Sequence, residues 1–199
     1  MKSRIFTYIF PFALYLLIPF ILDSIGLKEF SYFIKILLVG ITLIYFFKSY
    51  DLKFAKGNLF LSFVLGLLIF VLWILVEQFM PYKGEFEISA FNIIVRLFGS
   101  ILVAPLIEEL FTRKFLLRFL INPDKWDKIE PKFTWFSFMI TVLFFGFSHN
   151  RWLAGIIVGI ILNMLYIKTK RIENCIIAHS VANASLAGYI ILTNSWQFW

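Results

Sequence analysis

Residues 90–120 read AFNIIVRLFGSILVAPLIEELFTRKFLLRFL. The stretch is apolar for most of its 31 residues, whereas one straight crossing of a bilayer takes about 20. It contains Pro105, which has no N–H and clashes with the preceding turn, so a kink or break is expected there. Just beyond stand Glu108 and Glu109, with Arg113 one helical turn further on. Charge at membrane depth is costly and turns toward the protein interior. The stretch therefore reads as a membrane helix that faces other helices across a polar site.

The whole chain agrees. Of 199 residues 61% are apolar, 20% aromatic and only 16% charged, and the mean hydropathy is +0.87. A soluble domain of this size must clothe itself in more polar surface than that. A disordered chain and a disulfide scaffold are excluded too, the latter because Cys175 is the single cysteine. The fold expected is an all-α polytopic bundle of about seven transmembrane helices, near 5–22, 30–47, 59–80, 90–120, 133–149, 152–168 and 174–193. Loops are short and no repeat or linker divides the chain, so 1–199 reads as one integral membrane domain with its chemistry in 104–183. The basic start followed by an apolar run imitates a secretory signal, but no convincing cleavage site follows, and the run reads as a retained helix.

Placing the N-terminus inside puts fourteen basic residues on the cytoplasmic side. These are Lys2 and Arg4, then Lys48, Lys53 and Lys56, then Arg113, Lys114, Arg118, Lys125, Lys128 and Lys132, then Lys168, Lys170 and Arg171. Only Lys28, Lys83 and Arg151 fall outside. This bias predicts a multi-pass protein of the cell (inner) membrane, N-terminus cytoplasmic. It also accounts for the net charge of +7 without a nucleic-acid partner, since the basic residues are dispersed among apolar spans.

The remaining polar residues at depth define the chemistry. Glu109 and Arg113 stand at i, i+4 and can neutralise each other. Glu108 points about 100° away and has no such local partner, which suits a general base. His149 lies toward the end of the fifth span, where a loop carbonyl is its ordinary partner. His179 and Asn183 share a face of the last span and can both donate into one space. If the spans bring Glu108, His149, His179 and Asn183 together, a carboxylate and a histidine can activate water while a histidine and an amide bind a developing oxyanion. These are the parts for hydrolysing an acyl or peptide bond. Neither HExxH nor GxSxG is present. Cys175 lies four residues before His179 but shows no sign of activation. Several features have plainer readings. Lys35 snorkels, Arg96 pairs with Glu77 or reaches an interface, Gly155 and Gly159 mark a close helix contact, and Ser195–Trp199 belong to an interfacial aromatic belt.

Three motifs in order carry a resemblance: Glu108-Glu109-Leu110-Phe111-Thr112-Arg113 (EExxxR), Phe145-Gly146-Phe147-Ser148-His149 (FxxxH) and His179-Ser180-Val181-Ala182-Asn183 (HxxxN). From about residue 100 to 193 the sequence resembles the CPBP family of intramembrane endopeptidases, which includes CAAX proteases and bacteriocin-processing relatives. Asn150-Arg151-Trp152 and the Trp-rich end look like its exosortase-associated branch. The resemblance implies a glutamic-type intramembrane endopeptidase that uses no cofactor or metal and acts on a membrane-anchored protein or peptide in the lipid bilayer. It assigns water activation to Glu108 and His149, oxyanion stabilisation to His179 and Asn183, and support to Glu109 and Arg113. Lys114 departs from the family pattern, where glycine often follows the arginine. Two alternatives stand beside this reading: a zinc protease that uses Glu108, His149 and His179 as ligands, and an inactive membrane interaction or immunity factor. One difficulty is depth, because helix rise separates His149 from Glu108 by up to about 10 Å under the N-inside topology.

Overall fold

The computed structural model describes residues 2–54, 58–80 and 86–199, with side chains from Arg4 onward. Lys56 and Lys83, both counted in the charge bias, lie outside the described residues. The helices are α1 (Lys2–Ser24), α2 (Lys28–Tyr45), α3 (Leu59–Phe79), α4 (Ala90–Ile121), α5 (Trp135–Phe147), α6 (Trp152–Thr169) and α7 (Ile172–Thr193). Among the described residues there is no β-strand. By length and apolarity α1, α3, α4, α6 and α7 each suffice to cross a membrane. α2 carries Lys28, Glu29 and Lys35 in its 18 residues, and α5 has only 13. This is a polytopic helical membrane protein, as composition requires.

Local chemistry sets several starts. Asn58 accepts the Leu61 N–H at the start of α3, Ser89 accepts that of Asn92 in α4, and Thr134 accepts that of Ser137 in α5. Each side chain satisfies an amide that the first turn leaves unpaired. α1 packs along α2, α3 along α7 and α5 along α6, while α4 threads between α1, α5 and α7. As the sequence suggested, α6 meets α5 through glycines: a Cβ on Gly155 would stand 3.0 Å from the Gly146 Cα.

The break expected at Pro105 does not occur. α4 continues through it, and the ladder widens to π-type turns over Gly99–Val103 and Leu110–Leu117 on either side. The Ala104 N–H reaches back to the Gly99 carbonyl, five residues earlier. A wide turn redistributes the bonds around a residue that cannot donate, so the helix need not stop.

α3 lies against α7 without room to spare. A Cβ on Gly66 would stand 2.6 Å from the Ala178 carbonyl oxygen and 2.7 Å from Val181 Cβ. Gly66→Ala must therefore push α7 away at the level of His179. Thermal unfolding in lipid should show a loss of about 1–3 kcal/mol.

Candidate active site

Glu109 and Arg113 are completely buried, which α4 tolerates because they satisfy each other. Arg113 Nη1 donates to Glu109 Oε1 at 3.0 Å, and its Nε donates to Asn163 Oδ1 on α6 at 3.1 Å. Asn163 in turn donates to Thr141 Oγ1 on α5 at 2.7 Å. The guanidinium also lies over the Phe145 ring, 4.1 Å from its centroid. One i, i+4 pair thus ties α4 to α5 and α6 in the dry interior, where a lone charge would be prohibitive. Glu109 Oε1 is also 2.9 Å from His179 Nδ1 on α7. That contact fixes the ring and leaves Nε2 available.

Glu108, one residue away, faces elsewhere. Its Oε1 accepts the Tyr15 hydroxyl of α1 at 2.8 Å. Its Oε2 is buried with no hydrogen-bond partner and lies 3.7 Å from His149 Nε2. His149 is not on α5. The helix ends at Phe147, and His149 sits in the turn to α6, where its Nδ1 approaches the Phe145 carbonyl at 2.7 Å. The two readings of this histidine are therefore compatible. The carbonyl that satisfies Nδ1–H belongs to the last turn of α5 rather than to a loop, and it also sets the tautomer, so that the Nε2 lone pair faces Glu108. The depth difficulty dissolves as well. His149 stands 14 residues past the start of α5 and Glu108 stands 13 before the end of α4, each about 20 Å along its own axis.

Glu108, His149, His179 and Asn183 line one cavity of about 190 Å³. Asn183 donates through Nδ2 to the Ser100 carbonyl at 2.8 Å. It does not bond His179, so the two share the space without sharing a bond.

Several lining residues were read otherwise from sequence. Lys35 does not snorkel: its Nζ lies over the Tyr15 and Tyr32 rings, 4.4 and 4.7 Å from their centroids, and it lines the cavity. Arg96 does not pair with Glu77. It stacks on Tyr32 at 4.0 Å and faces the same cavity, while Glu77 is bound by both arms of Arg151. Tyr15 and Trp73 line it too, without any motif to announce them. Besides Glu108 Oε2, the buried Trp73 Nε1, Arg96 Nε and Ser100 Oγ have no hydrogen-bond partner. Buried polar atoms are rarely left so, and a cluster of them around a cavity marks a place for polar guests.

Two other candidates fall away from the site. Lys114 points from it and bonds the Tyr50 carbonyl. Cys175 is fully buried and donates weakly to the Leu162 carbonyl at 3.4 Å. Among the described residues no three His, Cys, Asp or Glu side chains are grouped as metal ligands require. Glu108, His149 and His179 line one cavity but do not form a ligand set.

Fold and site define the class: a polytopic helical membrane protein with a carboxylate and two histidines around a buried polar cavity. Residues 90–185 match the family model described as Rce1-like, type II CAAX prenyl endopeptidase Rce1-like. The matched residues hold all three motifs, so the similarity to this CAAX protease family falls on the segment that carries Glu108, His149, His179 and Asn183. No curated protein and no solved structure matches the chain.

Proposed function

We propose that the chain is a glutamic-type intramembrane endopeptidase that hydrolyses a peptide bond of a membrane-anchored protein or peptide with Glu108, His149, His179 and Asn183. The observation that carries this reading is the unpartnered Glu108 Oε2, 3.7 Å from His149 Nε2 at the wall of a polar cavity. That separation is too long for a direct hydrogen bond, yet it lets one water donate to both atoms. The water oxygen then attacks the scissile carbonyl while Glu108 takes its proton. The second Asn183 N–H stabilises the oxyanion, and so does His179 Nε2–H in the imidazolium form, whose Nδ1–H is held by Glu109. Collapse breaks the C–N bond, and Glu108 returns the proton to the leaving amine.

The two cations of the cavity, Lys35 and Arg96, face Glu108 across it and balance its charge. The positive-inside bias supports an inner-membrane protein with its N-terminus in the cytoplasm. The chain forms one integral membrane domain in this reading, because the helices before residue 90 contribute Tyr15, Lys35 and Trp73 to the cavity.

The experiment is cleavage of a panel of membrane-anchored peptides, prenylated CAAX tails included, by the purified chain in lipid. At least one should be cut, chelators should leave the rate unchanged, and hydroxylamine should trap no acyl product. Activity lost to chelators and restored by zinc would replace this reading with the metal-dependent one. No cleavage, together with a cellular phenotype that survives loss of Glu108, His149 and His179, would favour an interaction factor. Tyr15→Phe removes the donor to Glu108 Oε1 without altering shape. A hydrogen bond to a charged group contributes about 1.5–3 kcal/mol, so kcat should fall about ten- to a hundredfold in initial-rate assays with helix content unchanged.

A further inference from the structure

A second cavity, of about 480 Å³, lies at the other end of the α4 segment that carries the site. Arg118, on its wall, is ten residues past Glu108, about 15 Å along the helix. The start of α1, the turn Phe47–Tyr50, the end of α4, the loop 122–134 and the α6–α7 junction all meet there. Six of the lining residues are Lys or Arg and three are Asp or Glu.

The three acids are already engaged. Asp127 takes the Arg4 guanidinium at 2.8 Å, Asp51 stands 3.4 Å from Lys53 Nζ, and Glu173 accepts the Lys53 backbone N–H at 2.5 Å. Lys170 reaches out to Glu130. Positive charge remains. Lys114 has only a neutral carbonyl as acceptor, and Arg118 Nε is buried with no partner. Arg171 has no ion pair among the described residues. Trp126, 1% exposed, is part of the same wall, and its indole N–H has no acceptor either.

The backbone adds to this. Lys170 adopts the left-handed conformation, φ 57°, so α6 turns directly into α7. The N-terminus of the 22-residue α7 then opens on the pocket with no side-chain cap from Arg171. Helix N-termini attract anions through their free amides and dipole. Here that field adds to two guanidinium groups that no carboxylate pairs among the described residues, Arg118 having only the Tyr166 hydroxyl as side-chain partner. It adds as well to the buried, unpartnered Trp126 N–H. Glu173, in the first turn of α7, is the one carboxylate that opposes it. Basic pockets between transmembrane helices on the cytoplasmic side suit phosphate head groups.

We propose that this basic pocket binds one phosphate-bearing group, either the head group of an anionic lipid or a free phosphate. The site does not depend on the protease reading, and no residue that holds the proposed ligand lines the cavity of Glu108.

The test uses the full chain in two settings. In nanodiscs of phosphatidylcholine mixed with phosphatidylglycerol, native mass spectrometry should find phosphatidylglycerol retained in preference. Arg118→Gln with Arg171→Gln should weaken that retention about fivefold per charge, roughly thirtyfold together. The paired Lys substitutions keep the charge and should retain binding, which separates loss of a site from loss of fold. Lys28→Gln, on a cation outside the pocket, should change nothing. In neutral detergent, inorganic phosphate and short-chain phosphatidylglycerol are then compared by thermal unfolding. A rise in Tm with both identifies the phosphate group alone as the ligand, and a rise with the lipid alone identifies the head group. The proposal is overturned if neither ligand is retained or stabilises, if Lys28→Gln weakens binding as much as the double variant, or if the Lys pair loses binding as fully as the Gln pair.

Discussion

Glu108→Gln should reduce peptide cleavage about 10²–10⁴-fold, the range expected when a general base is removed. The substitution isolates the chemistry. Glutamine has the same shape and can still accept the Tyr15 hydroxyl that Glu108 Oε1 accepts at 2.8 Å. What disappears is the oxygen that faces His149 Nε2 at 3.7 Å and takes the proton. Because Glu108 lines a cavity rather than packed hydrocarbon, thermal unfolding should change far less than the rate. A variant that binds an anchored peptide as tightly as the parent but does not cut it would fit this role. Cleavage at the parental rate would remove Glu108 from the mechanism, and the proposed water activation with it. His149→Ala should reduce the rate in the same assay, since it removes the second acceptor for the same water.

The ends of most helices were legible because apolar runs and their polar interruptions are properties of single segments. So were the three motifs, each local in sequence. The partners of those motifs were not. Lys35 looked like a snorkelling lysine because a sequence records that it sits in a span, not which neighbour its helix turns toward. The pairing of Glu77 with Arg151 depends on how α3 lies against the start of α6, and that of Arg96 with the Tyr32 ring on how α2 lies against α4. Asn163 did leave a signal: an amide within the apolar run of α6 needs a buried partner, and it finds Arg113 and Thr141. At Pro105 the break, one of the two outcomes expected there, fails to occur for a different reason. A proline forbids one α-type hydrogen bond, but the wide turns beside it keep α4 helical. The His149 depth problem came from starting the fifth helix at 133 and ending the fourth at 120, whereas they start at Trp135 and end at Ile121.

Arg113→Met should be the most destabilising single change at this site, at about 3–5 kcal/mol, because it leaves a buried carboxylate without its counter-ion. Arg113 and Glu109 have no exposed surface, and Arg113 also holds Asn163 of α6 and lies over Phe145 of α5. Denaturant titration in mixed micelles would measure the loss. The double variant Glu109→Gln, Arg113→Met removes both charges, and a buried pair replaced as a unit costs much less than a pair broken in half. Its stability should therefore recover most of the deficit. Its activity should not, because Glu109 Oε1 is also the partner of His179 Nδ1 at 2.9 Å. A stable double variant with a low kcat would separate the two tasks of Glu109, one structural through Arg113 and one positional through His179. Recovery of both stability and cleavage would show instead that His179 needs no carboxylate behind it.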